Sequence, residues 1–288
     1  MLSRLPAAGL LAVILACGCG PSTPGDDGTD ADAGRDAATG DAARDAGAGS
    51  DGPGPLPDGP PAFFGAVYAH SATDLYKVDP DTLDVTPVGA FVWPPGSLLE
   101  QMTDIALDKD ANMIGISFGK VFAVDKDTAV CTFLANLDRD FNGLSFIPAD
   151  EISTGQETLV GAANDGSLYR IDKTTGQSAA IGAYGGGLGS SGDLVSVTGF
   201  GTIATATSTG ATDILVRVDP NGGVATPIGD TGVADIWGLG YWAGKVFGFT
   251  ESGQFVLVDH HTGAASPVET GGVHWWGAGV TTSAPVID

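Results

Sequence analysis

The chain has 288 residues, with 12 Lys+Arg against 35 Asp+Glu and a formal charge of -23. So acidic a chain repels phosphate backbones, which excludes nucleic acid as a partner. Glycine (45) and proline (17) are abundant and charged residues make up only 16%, a mixture that suits strands and tight turns better than long helices.

Residues 1–16 read as an export signal. Arg4 supplies the positive start, and the apolar stretch from Leu5 to Ala16 is too short to cross a bilayer as a helix. The stretch ends in Ile14-Leu15-Ala16-Cys17-Gly18-Cys19. An aliphatic residue, a small residue and then cysteine resembles the lipobox of bacterial lipoproteins. That resemblance implies cleavage before the cysteine and its lipidation, an anchor that needs no transmembrane helix. Cys17 follows Ala16 and Cys19 follows Gly18, so either fits, and Cys17 places Ile14 in the aliphatic position. The alternative is an ordinary secretory signal with incidental cysteines. Glycine after either cysteine resembles Gram-negative lipoproteins passed on to the outer membrane, which places the protein in the cell envelope.

Residues 17–62 form the segment between the signal and the body. From 21 to 62 nearly every residue is Ala, Gly, Asp or Pro, and Leu56 is the only large apolar side chain. Such a segment cannot bury a core, so a disordered tether is expected. Its self-repelling aspartates extend it, to roughly 35–40 Å or more end to end. The Asp-Ala-Gly composition resembles the tethers of myxobacterial lipoproteins.

From Phe63 to Asp288 a repeat appears. Its copies are Leu75-Tyr76-Lys77-Val78-Asp79, Val121-Phe122-Ala123-Val124-Asp125, Leu168-Tyr169-Arg170-Ile171-Asp172, Leu215-Val216-Arg217-Val218-Asp219 and Phe255-Val256-Leu257-Val258-Asp259, with the aspartates 46, 47, 47 and 40 residues apart. Three residues past the aspartate stand Thr82, Thr128, Thr175, Gly222 and Thr262; nine past stand Val88, Leu134, Ile181, Ile228 and Val268. Asp-x-x-Thr-Gly is hairpin chemistry, in which the carboxylate caps turn N–H groups and glycine supplies a positive φ. Upstream of each unit after the first lies another pair of short strands, as in Thr103–Leu107 with Ile114–Ile116. Four short strands every 40–47 residues make a β-propeller blade. The body therefore reads as all-β, a five-bladed β-propeller over 63–288. It opens inside a blade at Val67-Tyr68, and Trp276-Gly277-Ala278-Gly279-Val280 at the C-terminus supplies that blade's missing inner strand. The repeats resemble those of quinoprotein-like and surface-layer-type bacterial propellers, a resemblance that implies architecture and not activity.

Candidate chemistry is sparse. Asp138, Asp140 and Asn142, with Gly143 in the sixth place, resemble a calcium loop, but Ala149 stands where a bidentate glutamate is required; Ca2+ and a plain acidic turn are both open. The hairpin aspartates recur five times and are assigned to turns. His260-His261 lies in the fifth turn without ligand-spaced partners, and Cys131 reads as a small buried hydrophobe. His-Glu-x-x-His and phosphate-loop signatures are absent from the sequence. In a propeller the starts of the inner strands ring the central channel. Here those starts carry Thr103, Asp104, Asn142, Asp193, Trp237, His274, Trp275 and Trp276. Tryptophans and polar groups around one funnel suit a sugar or another polar ligand with an apolar face; the competing reading packs the tryptophans between blades. Two functions follow. One is a lipid-anchored interaction module for a protein or glycan, without catalysis or a cofactor. The other is a sugar-active hydrolase working through the Asp104–Asp193 pair, at the separations glycosidases require.

Overall fold

A computed structural model describes residues 65–97 and 100–287. The export signal, Cys17, Cys19 and the tether lie outside these residues. Among the described residues, strands gather into five four-stranded antiparallel sheets, each one blade. The second blade runs β4 (Asp104–Leu107), β5 (Met113–Ile116), β6 (Lys120–Val124) and β7 (Cys131–Asn136) from channel to rim. The third runs β8 (Gly143–Ile147), β9 (Thr158–Ala162), β10 (Ser167–Ile171) and β11 (Ser178–Ala183), and the fourth β12 (Gly189–Val197), β13 (Gly201–Thr207), β14 (Ile214–Val218) and β15 (Ala225–Asp230). The fifth contains β16 (Ile236–Trp242), β17 (Lys245–Thr250), β18 (Gln254–Val258) and β19 (Ala265–Thr270). The first blade takes β1 (Val67–His70), β2 (Asp74–Val78) and β3 (Val85–Ala90) from the start of the domain and its inner strand, β20 (Gly277–Gly279), from the end. Tyr68, Ala69 and His70 pair with Gly279, Ala278 and Gly277, so the ring closes through the ladder expected from the terminal repeat. The five-bladed all-β propeller is thereby shown.

The burial pattern follows from blades packing face to face. The two inner strands of a blade are covered on both faces, as in β4, β5, β8 and β9, where every residue is buried. The rim strands β3, β11 and β15 are only partly covered. Apolar clusters fill the gaps between neighbouring blades, and the largest, around Phe247, Phe249, Phe255 and Tyr241, joins the fifth blade to the fourth and the first.

The hairpin aspartates do what the spacing predicts. Asp79 Oδ1 accepts the N–H groups of Asp81 and Thr82 at 2.8 and 3.0 Å, and Asp259 repeats this with His261 and Thr262. The residue after Thr82 and its counterparts is left-handed in all five turns, with φ of 67° at Leu83, 58° at Ala129, 72° at Gly176, 76° at Gly223 and 82° at Gly263. At Gly176 a Cβ would collide with the Asn136 carbonyl of the preceding blade, so only glycine fits. Ala129 is fully buried and Leu83 packs against the core, and that contact offsets the left-handed cost of roughly 1 kcal/mol.

The aliphatic residue nine places past the aspartate interrupts the rim ladder. In every blade the rim pairing slips by one residue, for example between Leu75↔Gly89 and Tyr76↔Pro87, or between Leu168↔Gly182 and Tyr169↔Ala180. The extra residue is Val88, Leu134, Ile181, Ile228 or Val268. It is a β-bulge that bends the rim strand, and four of the five extra residues lie half-buried against the inter-blade clusters.

Candidate functional site

The inner strands touch in the closed order β4, β8, β12, β16, β20 and back to β4. Each has one edge facing the channel, and its N–H groups need acceptors there. Two aspartates supply them. Asp193 Oδ1 accepts the N–H of Leu194 at 2.6 Å and Oδ2 that of Leu239 on β16 at 2.7 Å, with a further bond from Ala278 on β20. Asp104 Oδ1 accepts the N–H of Ile105 at 2.8 Å, and the carboxyl also reaches that of Leu144 on β8. These side chains stitch inner strands of different blades together.

Both carboxyl groups are fully buried, and each bears on the ionisation of the other. Burial makes two ionised carboxylates side by side costly, which favours the protonated form of the pair. Asp193, with three backbone donors, is the better stabilised of the two as an anion. Burial first, and then the charge of Asp193, pushes the Asp104 carboxyl well above the ordinary range. Burial also raises Asp193, opposed first by the Leu239 N–H. His70 completes the cluster. Its Nδ1 donates to the Ser71 carbonyl at 2.8 Å, and its Nε2, without a hydrogen-bond partner, lies 3.7 Å from Asp104 Oδ1. Burial lowers the His70 pKa to about 4, so the ring is neutral. Gly277 leaves the space these two side chains fill, since a Cβ there would overlap both.

Above this plug, at the end where the inner strands begin, opens a pocket of about 300 Å³. Thr103, Asn142, Trp237 and Trp276 line it, as the repeat alignment placed them. Trp237 and Trp276 meet at 6.2 Å between ring centroids and 83° between planes; Phe118 meets Trp276 at 6.3 Å and 78°. Asn142 Oδ1 is buried without a partner. The sequence reading missed Phe118, Phe141, Asn164, Ser191 and Gly192 as lining residues. Phe118 and Asn164 each stand two residues past the end of a second strand, so extending the repeat alignment to that hairpin would have marked them.

Four expected members lie elsewhere. Asp104 and Asp193 are beneath the pocket and fully buried, because the strand edges consume them as acceptors. Trp275 is 4% exposed and packs on Tyr76 and Phe249, so it is core and not channel mouth. His274 is exposed in a neighbouring hollow, its Nδ1 donating to the Glu251 carbonyl at 2.8 Å. The carboxyl pair is also fully enclosed, whereas groups that flank a glycosidic bond must be open to the substrate on either side of it. Of the calcium-loop residues, Asp138 accepts from the hydroxyl and N–H of Ser178 at 2.7 and 3.1 Å, whereas Asp140 and Asn142 line the pocket. Cys131 is buried, and its thiol is pushed up to about 12 by that burial.

No protein-family model matches the sequence, and no curated protein is similar to it. Among solved structures, the chain is similar to one from a crystal structure of a nidogen/laminin complex, with 7% identity and a TM-score of 0.50, covering 77% of this chain and 99% of that one. A second, a protein of unknown function from Bacteroides caccae, gives 10% identity and a TM-score of 0.40 over 71% and 72% of the two chains. At such identity the first likeness bears on the fold alone, and it agrees with the propeller built by the five repeats.

Proposed function

We propose that this protein is a lipid-anchored module of the bacterial cell envelope that captures a ligand at the mouth of its propeller channel. The observation that carries this reading is the pocket itself. Two tryptophans and two phenylalanines wall it, and amide and hydroxyl groups of Asn142, Asn164, Thr103 and Ser191 punctuate it. Apolar walls with a few convergent polar groups are what a small-ligand site requires. A ligand with an apolar face and polar edges, a glycan unit among them, would stack on an indole and bond the amides. The lipobox-like Ala16-Cys17-Gly18-Cys19 and the acidic tether support placement outside the cytoplasm, anchored to the outer membrane.

Two measurements test the two halves of this reading. Serine at both Cys17 and Cys19 should release the protein from the membrane fraction; retention of the double variant rules out the lipid anchor. A glycan and metabolite screen should return a ligand whose affinity falls tenfold or more in Trp276→Ala, since removing a central aromatic anchor commonly costs about 2 kcal/mol. Undiminished binding in both Trp237→Ala and Trp276→Ala moves the site away from the channel mouth.

A further inference from the structure

The composition of the pocket wall selects among the ligands it could hold. Its aromatic side chains are Phe118, Phe141, Trp237 and Trp276, and its only charged residue is Asp140. No lysine or arginine lines it. The nearest cation in sequence, Arg139, lies over the Tyr169 ring at 4.1 Å and pairs with Asp138 at 3.7 Å. Asp140 itself is exposed at the pocket.

Ring geometry adds to this. Trp237 stands nearly perpendicular to Trp276, and Phe118 nearly perpendicular to Trp276 again. Perpendicular rings in contact make the corners of an open box, so an object held among them meets more than one π-face or ring edge at once. The faces of aromatic rings carry negative electrostatic potential and attract cations, most strongly for indole. A formal charge of -23 over the chain adds a long-range field of the same sign. An anionic ligand is repelled by every one of these terms. A neutral ligand gains only contact area. A cation that is bulky and weakly hydrated gains from all of them and loses little on leaving water.

We infer that the pocket takes an alkylammonium group, with Trp237, Trp276 and Phe118 around the cationic head and Asp140 as its counter-charge. This rests on the reading of the pocket as the binding site and narrows it to a ligand chemistry. Asn142 Oδ1, buried and unpartnered, and the Asn164 and Ser191 side chains would then receive hydroxyl or N–H groups of the remainder of the ligand.

The test compares choline with 3,3-dimethyl-1-butanol, its uncharged isostere, by calorimetry on the full-length protein at low and at physiological salt. Choline should bind at least about tenfold more tightly than the alcohol. Trp276→Ala should abolish that preference, and Asp140→Asn should weaken choline severalfold while leaving the alcohol unchanged. Asp140 is exposed, so its variant keeps the fold and separates charge recognition from damage to the pocket. Rising salt should weaken choline and not the alcohol. Equal affinity for the two compounds overturns the ammonium assignment. So does a neutral sugar that binds in a Trp276-dependent manner while choline does not, an outcome that leaves the pocket standing as a binding site. If neither compound binds and no ligand from the wider screen depends on Trp237 or Trp276, both readings fall together.

Discussion

The rim and the channel of this propeller use aspartate in opposite ways. At the rim, Asp79, Asp125, Asp172 and Asp259 are exposed, and the N–H groups of the turns they cap hold their carboxyls below the ordinary range, with Thr174 Oγ1 leading at Asp172. In the channel, Asp104 and Asp193 are fully buried and raised well above it. The local bond is nearly the same, a carboxylate oxygen accepting a nearby N–H. What differs is the solvent. A rim carboxylate keeps water on its free oxygen, so its bonds simply favour the charged form; a channel carboxylate has lost water, so burial disfavours its charge. Rim aspartates each secure one turn, while the channel pair secures several blades to each other.

The largest effect that sharpens this contrast comes from deleting residues 273–288. The deletion removes β20, the Ala278 donor to Asp193 and the space at Gly277, and it exposes the edge of β1. The loss should approach the whole stability of an ordinary domain, about 5 kcal/mol or more, and appear in calorimetry as a missing cooperative transition. A truncated protein that melts at the original temperature excludes closure through β20. Next comes Asp193→Ala, which orphans backbone N–H groups on three blades and should cost about 3 kcal/mol, read as a shift of the urea midpoint without a change in slope.

The third prediction concerns pH. A pKa raised in the folded state means stability that is full below the unfolded carboxylate value near 4 and drains away as pH rises through the raised value. Asp104→Asn keeps a donor toward Asp193 but cannot ionise. Its melting temperature should therefore gain on the wild type as pH rises above about 4, and parallel curves there mean that Asp104 does not titrate with a raised pKa. At the rim the sign reverses, since lowered carboxyls lose their contribution as pH falls through the folded value. His70, lowered to about 4, also costs stability as pH falls from about 6.5 toward 4, because the unfolded chain takes up the proton first. The smallest effect is Asp79→Ala, which removes one exposed turn cap and should lower the melting temperature only slightly. A loss as large as that of Asp193→Ala would erase the distinction between rim and channel.

Much of this was legible in the chain. The five Asp-x-x-Thr turns, the strand before each and the closing segment at Trp276–Val280 are local patterns, because turn chemistry and the apolar content of a strand act between residues a few positions apart. The same alignment put Thr103, Asn142, Trp237 and Trp276 at one end of the channel. It could not separate Trp275 from Trp276, because adjacent residues in a strand point to opposite faces and only the neighbouring blade decides which face is core. It also read Asp104 and Asp193 as open to ligand, since the acceptors a channel edge needs depend on how five strands converge.

The number of blades, their order and the manner of closure follow from counting repeats and pairing the two ends. Tertiary structure alone decided that two aspartates from the second and fourth blades meet beside a histidine of the first, and that residues far apart in the chain, Phe118, Asp140, Trp237 and Trp276, wall one pocket. The reason is that burial and ionisation are set by what surrounds a group in space, and a ring closed from five blades brings together positions that no local pattern relates.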